Sequence, residues 1–141
     1  MYTYVNLSAS AYGQADATDA LKWAQKAQEL AVSANDHIAE GWACFNMGYA
    51  YLLQNEFGLA VEAFQKSIEI RTETNAAILV VESSAGLCDA FMGLQDQASA
   101  GKEAERVFLY MEKDPSFEGA EEPLRMYLSL HSFLEKTKDL R

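Results

Sequence analysis

Small and apolar residues recur along this chain at a constant interval of forty. Leu7, Met47 and Leu87 are each followed by a small residue, Ser8, Gly48 or Cys88. Ala11, Tyr51 and Phe91 keep the same interval, as do Ala20, Ala60 and Ala100. So do Ala24, Phe64 and Ala104, and then Ala27, Ser67 and Val107. Within each unit of forty, positions 4, 7, 8 and 11 form an i, i+3, i+4, i+7 stripe, the buried face of a helix. Positions 20, 24 and 27 form a second such stripe. Leu124, Tyr127 and Leu128 carry the register into a fourth, partial unit.

The pattern predicts seven helices, over 2–13, 17–34, 37–53, 57–73, 76–93, 97–113 and 122–137. Asp16, Asp36 and Asp96 stand where the second, third and sixth need N-caps. Small residues at positions 8 and 20 let paired helices approach closely, with a bulkier residue at 24 or 27 filling the space beside them. The stretch 114–123 reads as the one clear loop, and Pro123 suits the first turn of the last helix. No strand pattern competes: the β-branched run at Ile78–Val81 lies inside a helical register.

Composition narrows the function classes. The chain has 141 residues, half of them hydrophobic and 23% charged, which fits one folded domain and excludes a disordered chain. Its net charge of -10 makes nucleic acid and anionic membrane surfaces poor partners. No signal peptide pattern opens the chain, and the longest apolar run, Ala76 to Val81, is far too short to cross a bilayer. Two cysteines make no disulfide framework, so a reducing, cytoplasmic setting is expected.

The unit Gly41 to Thr74 resembles the tetratricopeptide repeat. It carries Asn46-Met47-Gly48, Tyr51, the Asn55-Glu56-Phe57 turn, Ala60, Phe64 and the tail Gln65 to Ile70, each where that repeat has its signature. The units at 1–34 and 81–114 keep the small and apolar positions but replace the glycine. The usual period is about 34 residues. The longer period here is similar to repeats of large bacterial signalling ATPases and transcriptional regulators and of kinesin light chains. The resemblance implies an all-α solenoid spanning 1–141, with repeats of about 1–40, 41–80 and 81–120: three antiparallel helix pairs plus a terminal helix over 121–137. The chain starts inside a first helix and stops after an unpaired one, so it reads as a piece of something longer.

Stacked helix pairs curve into a superhelix with a concave inner face. In the family the first helix of each pair lines that face, which implies a groove here of Tyr2, Val5, Asn6 and Tyr12, then Trp42, Phe45, Asn46, Tyr49 and Leu53, then Glu82, Asp89 and Met92. The first half is aromatic and uncharged, while Glu82 and Asp89 add negative charge beside it. A peptide with an apolar anchor and a nearby base complements both. Asn6 and Asn46 hold the place where peptide-binding repeats use an amide on the ligand backbone. Gripping a free carboxylate is disfavoured, because Arg125 is the only base at an inner position. Ligand contact, packing against Val5, Tyr12 and Met92, and cover by the final helix or a neighbouring molecule are all open to Trp42, Phe45 and Tyr49, as are a local or solvent hydrogen bond to Asn6 and Asn46 and a solvated helix face to Glu82 and Asp89.

No catalytic residue, metal site or cofactor is expected. His37 falls at a helix start, and His131 at a position where an aromatic normally packs, giving it a core or edge role. Cys44 and Cys88 read as small buried hydrophobes. No phosphate loop, nucleophile elbow or zinc motif is present. The leading expectation is thus a non-enzymatic protein–peptide interaction module, the sensing or scaffolding part of a larger bacterial regulator. Its rivals are a self-assembly segment, a homodimer through Leu128, Phe133 and Leu134, and a small-molecule effector site in the aromatic groove.

Overall fold

The computed structural model describes residues 1–138. Seven helices follow in order: α1 (Tyr2–Gly13), α2 (Ala17–Ala34), α3 (His37–Leu53), α4 (Phe57–Glu73), α5 (Ala77–Gly93), α6 (Gln97–Lys113) and α7 (Pro123–Lys138). There is no strand among the described residues. The three aspartates cap as the sequence predicts: Asp16, Asp36 and Asp96 each accept from the backbone N–H three residues on, at 3.0, 2.9 and 3.0 Å.

The first five connections are one motif repeated at half the sequence period. Ala15, Asn35, Asn55, Asn75 and Gln95 all take a left-handed backbone, with φ between 53 and 61°. The residue after each donates its N–H to a carbonyl five positions back, at 2.9 Å every time. This is the 6→1 bond of a Schellman ending, so the N-cap of one helix also closes the helix before it. The sixth place in that series is Pro115, whose ring locks φ near −65° and bars the left-handed turn. There the chain instead makes a longer loop, anchored by Phe117. That ring is fully buried between Tyr110 and Tyr127.

Consecutive helices pack antiparallel. The first helices also touch one another, α1 on α3, α3 on α5 and α5 on α7, whereas α2, α4 and α6 do not meet. One layer is continuous and the other splayed, which curves the stack about the first-helix layer. Small residues allow the close approach: Ala20, Ala60 and Ala100 are fully buried, and Ser8 donates to the Ala20 carbonyl at 2.7 Å. Phe64 of α4 is wedged between Gly48 of α3 and Gly86 of α5, where a Cβ on either glycine would come within 2.7 Å of the ring.

The last helix keeps the forty-residue register but leaves one face open. Met126 and Leu130, which correspond to Asn46 and Ala50 and to Gly86 and Ala90, are buried against α5 and α6. The stripe at positions 4 and 8, covered in the earlier units by the second helix, is Leu124 and Leu128, 70% and 57% exposed. His131, expected in a core or edge role, is exposed for the same reason: no second helix lies over it among the described residues.

Candidate functional site

The inner face carries a cleft of about 720 Å³ bounded by α1, α3, α5 and α7. Tyr12, Tyr49 and Leu52 form its apolar wall. Asp89, Ser129, Ser132, Arg125, Glu121 and Glu122 form the polar one, and Leu124 and Leu128 stand at its rim.

Of the residues expected to line a groove, Tyr12, Tyr49 and Asp89 meet here. Several others are turned inward by the chain itself, which corrects the expectation that they face a ligand. Phe45 is only 2% exposed, sealed among the rings of Trp42, Tyr49 and Phe64. Asn46 is buried and donates its amide to the Val5 carbonyl of α1 at 3.0 Å, fixing the first repeat on the second rather than a ligand. Val5 is core against Ala27 and Ala43. Glu82 is buried, its Oε1 accepting the Glu122 N–H at 2.8 Å, so it anchors the start of α7. Met92 packs on the core between α5 and α7. Tyr2, Asn6 and Leu53 are exposed but away from the cleft, and Tyr2 donates to the Asp36 carboxylate at 3.0 Å.

Two arginines cover the aromatic row. Arg71, from the end of α4, is buried with its guanidinium 4.4 Å from the ring centres of both Trp42 and Phe45. It donates to the Leu79 carbonyl and the Ser83 hydroxyl, each at 2.8 Å, and stands 3.6 Å from the Glu82 carboxylate. Burial pulls its pKa down to about 10 even beside Glu82. Arg125 of α7 lies over Tyr12 at 3.8 Å and Tyr49 at 4.7 Å and pairs with Glu122. Arg71 was not foreseen at the inner face. Its signal is a base at position 31 of its unit, where the first repeat has the fully buried Ala31.

Two polar groups of the cleft wall bear on what it can bind, Tyr49 and Asp89. The Tyr49 hydroxyl is buried and has no hydrogen-bond partner, and burial, then Asp89 and Glu82, push its pKa well up. Asp89 accepts from the Ser129 hydroxyl at 2.6 Å, yet burial still raises its pKa to about 6. The native protein therefore holds a proton there that the unfolded chain releases between about pH 4 and 6. Stability falls as pH rises through that window and is level above it. Asp89→Asn, which cannot ionise, is expected to be more stable than the parent at pH 7 and equal to it below pH 4. The carboxylate keeps some water, so the gain is on the order of 1 kcal/mol. Urea unfolding followed by circular dichroism across that pH range checks it, and a gain that persists in acid would refute it.

The family model of the tetratricopeptide repeat matches residues 1–73, just over half of the chain. The chain belongs to that family. No curated protein matches it. Tetratricopeptide repeats generally mediate protein–protein interaction or scaffolding and are generally not catalytic. Among the described residues no helix is long and apolar enough to cross a membrane.

Proposed function

We propose that the chain is a protein-interaction module whose concave cleft takes an extended segment of a partner, apolar with at least one base. The observation that carries this reading is the unpartnered Tyr49 hydroxyl beside Asp89 on the cleft wall. A buried polar group without a partner costs about 1–3 kcal/mol, which a ligand's amide or ammonium group would relieve. Charge supports the choice. Arg125 is balanced by Glu122 and Arg71 by Glu82, which leaves Asp89 and Glu121 to set the sign of the cleft. Tyr12 and Leu52 offer the apolar contact. The setting we propose is the sensing or scaffolding part of a larger cytoplasmic regulator. The forty-residue period supports this, as do two free, buried cysteines that need no oxidising compartment.

The test is a set of fluorescent eight-residue peptides, identical except for a lysine, a neutral residue or a glutamate at the centre, titrated by polarisation. Lysine peptides are expected to bind most tightly and to weaken with salt. Ser132→Arg, which fills the cleft without touching the aromatic row, is expected to abolish binding. Equal binding to that variant, or preference for the glutamate peptide, would overturn the reading.

A further inference from the structure

Arg125 reaches from one wall of the cleft to the other. The helix that carries it, α7, packs on α5 and α6, and its backbone approaches neither α1 nor α3. The guanidinium nevertheless lies over Tyr12 of α1 and Tyr49 of α3. One long side chain thus bridges the space that an extended partner would occupy.

The other stacked arginine shows what a fixed guanidinium looks like in this protein. The Arg71 side chain is 3% exposed, donates to the Leu79 carbonyl and the Ser83 hydroxyl, and stands beside Glu82. Arg125 is 24% exposed, and its one partner is Glu122, three residues back in the chain. Burial lowers its pKa to about 10, as it does for Arg71, yet no carbonyl or hydroxyl takes its N–H groups. Stacking and one neighbouring carboxylate hold it, so it can be exchanged where Arg71 cannot.

The wall beneath Arg125 is only half used. The Tyr49 hydroxyl is buried without a partner. Asp89 accepts from Ser129 through Oδ2, and its other oxygen has no hydrogen bond among the described residues. Arg125 covers the two rings but bonds neither of these oxygens. Two ring faces beside a hydroxyl and a carboxylate suit a guanidinium in particular. Its flat face stacks while its edge donates, to the Tyr49 oxygen and to Asp89. An ammonium is a point charge and cannot do both in one pose.

From this bridging contact and these unused acceptors, we infer that the Tyr12–Tyr49 pair is a subsite for an arginine of the partner. Arg125 is the plug of that subsite, and the partner's guanidinium displaces it. Two cations cannot share the ring pair, so the exchange is one for one. The displaced side chain keeps Glu122 and has Glu121, also on the cleft, beside it. The inference rests on the cleft reading above and names the base that reading leaves open.

Polarisation with peptides alike except for arginine, lysine or a neutral residue at the centre tests it. The parent is expected to bind the arginine peptide about tenfold more tightly than the lysine one. Arg125→Ala empties the ring pair and is expected to tighten the arginine peptide about tenfold further, and the lysine peptide less. Arg125→Lys keeps the charge but gives up the flat stacking, and is expected to tighten the arginine peptide as well. Tyr12→Leu is expected to bring the arginine peptide down to the lysine level with helicity unchanged. In the parent, the Arg125 Nε–H proton resonance, shifted by the Tyr12 ring, is expected to move to its solvent position when the arginine peptide binds. Equal binding of arginine and lysine, no tightening in Arg125→Ala, or a resonance that stays in place would overturn the inference and leave the cleft reading standing. A neutral peptide that binds as tightly as both basic ones would sink the cleft reading, and this inference with it.

Discussion

Phe64→Ala is expected to remove about 4 kcal/mol of stability, one of the two largest losses any single truncation in this chain should cause. The ring has no exposed surface and sits at the point where three helices converge. It meets the backbone of α3 at Gly48 and that of α5 at Gly86, and the rings of Phe45 and Tyr49 stand edge-on to it at 6.1 and 5.0 Å. Backbone on two sides cannot collapse into the space, so most of the ring's volume would remain as a cavity. The reciprocal change is also costly. A Cβ at position 86 would meet the ring at less than contact distance, so Gly86→Ala is expected to lose about 1–3 kcal/mol through forced displacement. In the double variant the new methyl enters the space the ring vacated. Its loss should therefore be smaller than the sum of the two singles. Urea unfolding of the four proteins measures this cycle. Additive losses, or a cost for Phe64→Ala below about 1 kcal/mol, would show that the helices reseat freely and that the wedge does not set their spacing.

Much of this architecture was legible in the sequence because helical periodicity and capping are local. The stripe at positions 4, 7, 8 and 11 fixed which side of each first helix turns toward its pair, and the aspartates marked three starts. A sharper signal also lay there. Asn35, Asn55 and Asn75 recur every twenty residues, each in the left-handed turn that asparagine tolerates, and Pro115 at the sixth place foretells the broken connection before α7. The site was less legible. Periodicity tells which face of a helix turns inward but not how far a side chain from the next helix reaches across it. Arg71 belongs to α4, yet it covers Trp42 and Phe45 of α3. Asn46 sits at a position that suits a ligand's backbone, but the Val5 carbonyl of the neighbouring helix reaches it first. The aromatic row thus became core, and the open part of the groove moved toward α7. There Ser132 and Glu121 had given no sign in the pattern, whereas Glu122, Arg125 and Ser129 already stood at inner positions of the last helix.

Arg71→Ala is expected to cost about 3–5 kcal/mol, because it strands a buried carboxylate rather than because the pair itself is strongly stabilising. Glu82 is 1% exposed, and its Oε2 has no hydrogen-bond partner, only the guanidinium at 3.6 Å. Burial already holds the Glu82 pKa above its ordinary value, with Arg71 and the Glu122 N–H pulling the other way. Taking the arginine away removes one of those pulls and raises it further. A carboxyl whose native pKa is raised loses stability as pH climbs from its unfolded value to its native one. The variant's deficit should therefore be smallest in mild acid and grow toward neutrality. Adding Glu82→Gln to Arg71→Ala removes the stranded charge and is expected to recover a large part of the loss at pH 7. Arg71→Met with Glu82→Gln, which also refills the volume over Trp42 and Phe45, should come close to the parent. A double-mutant cycle by urea unfolding at two pH values decides it. Losses that add, or a deficit independent of pH, would mean that Arg71 acts only as a hydrocarbon lid over the two rings. The same series bears on the cleft. Arg71 does not line the cleft, so peptide binding by the methionine–glutamine protein should survive wherever its fold does.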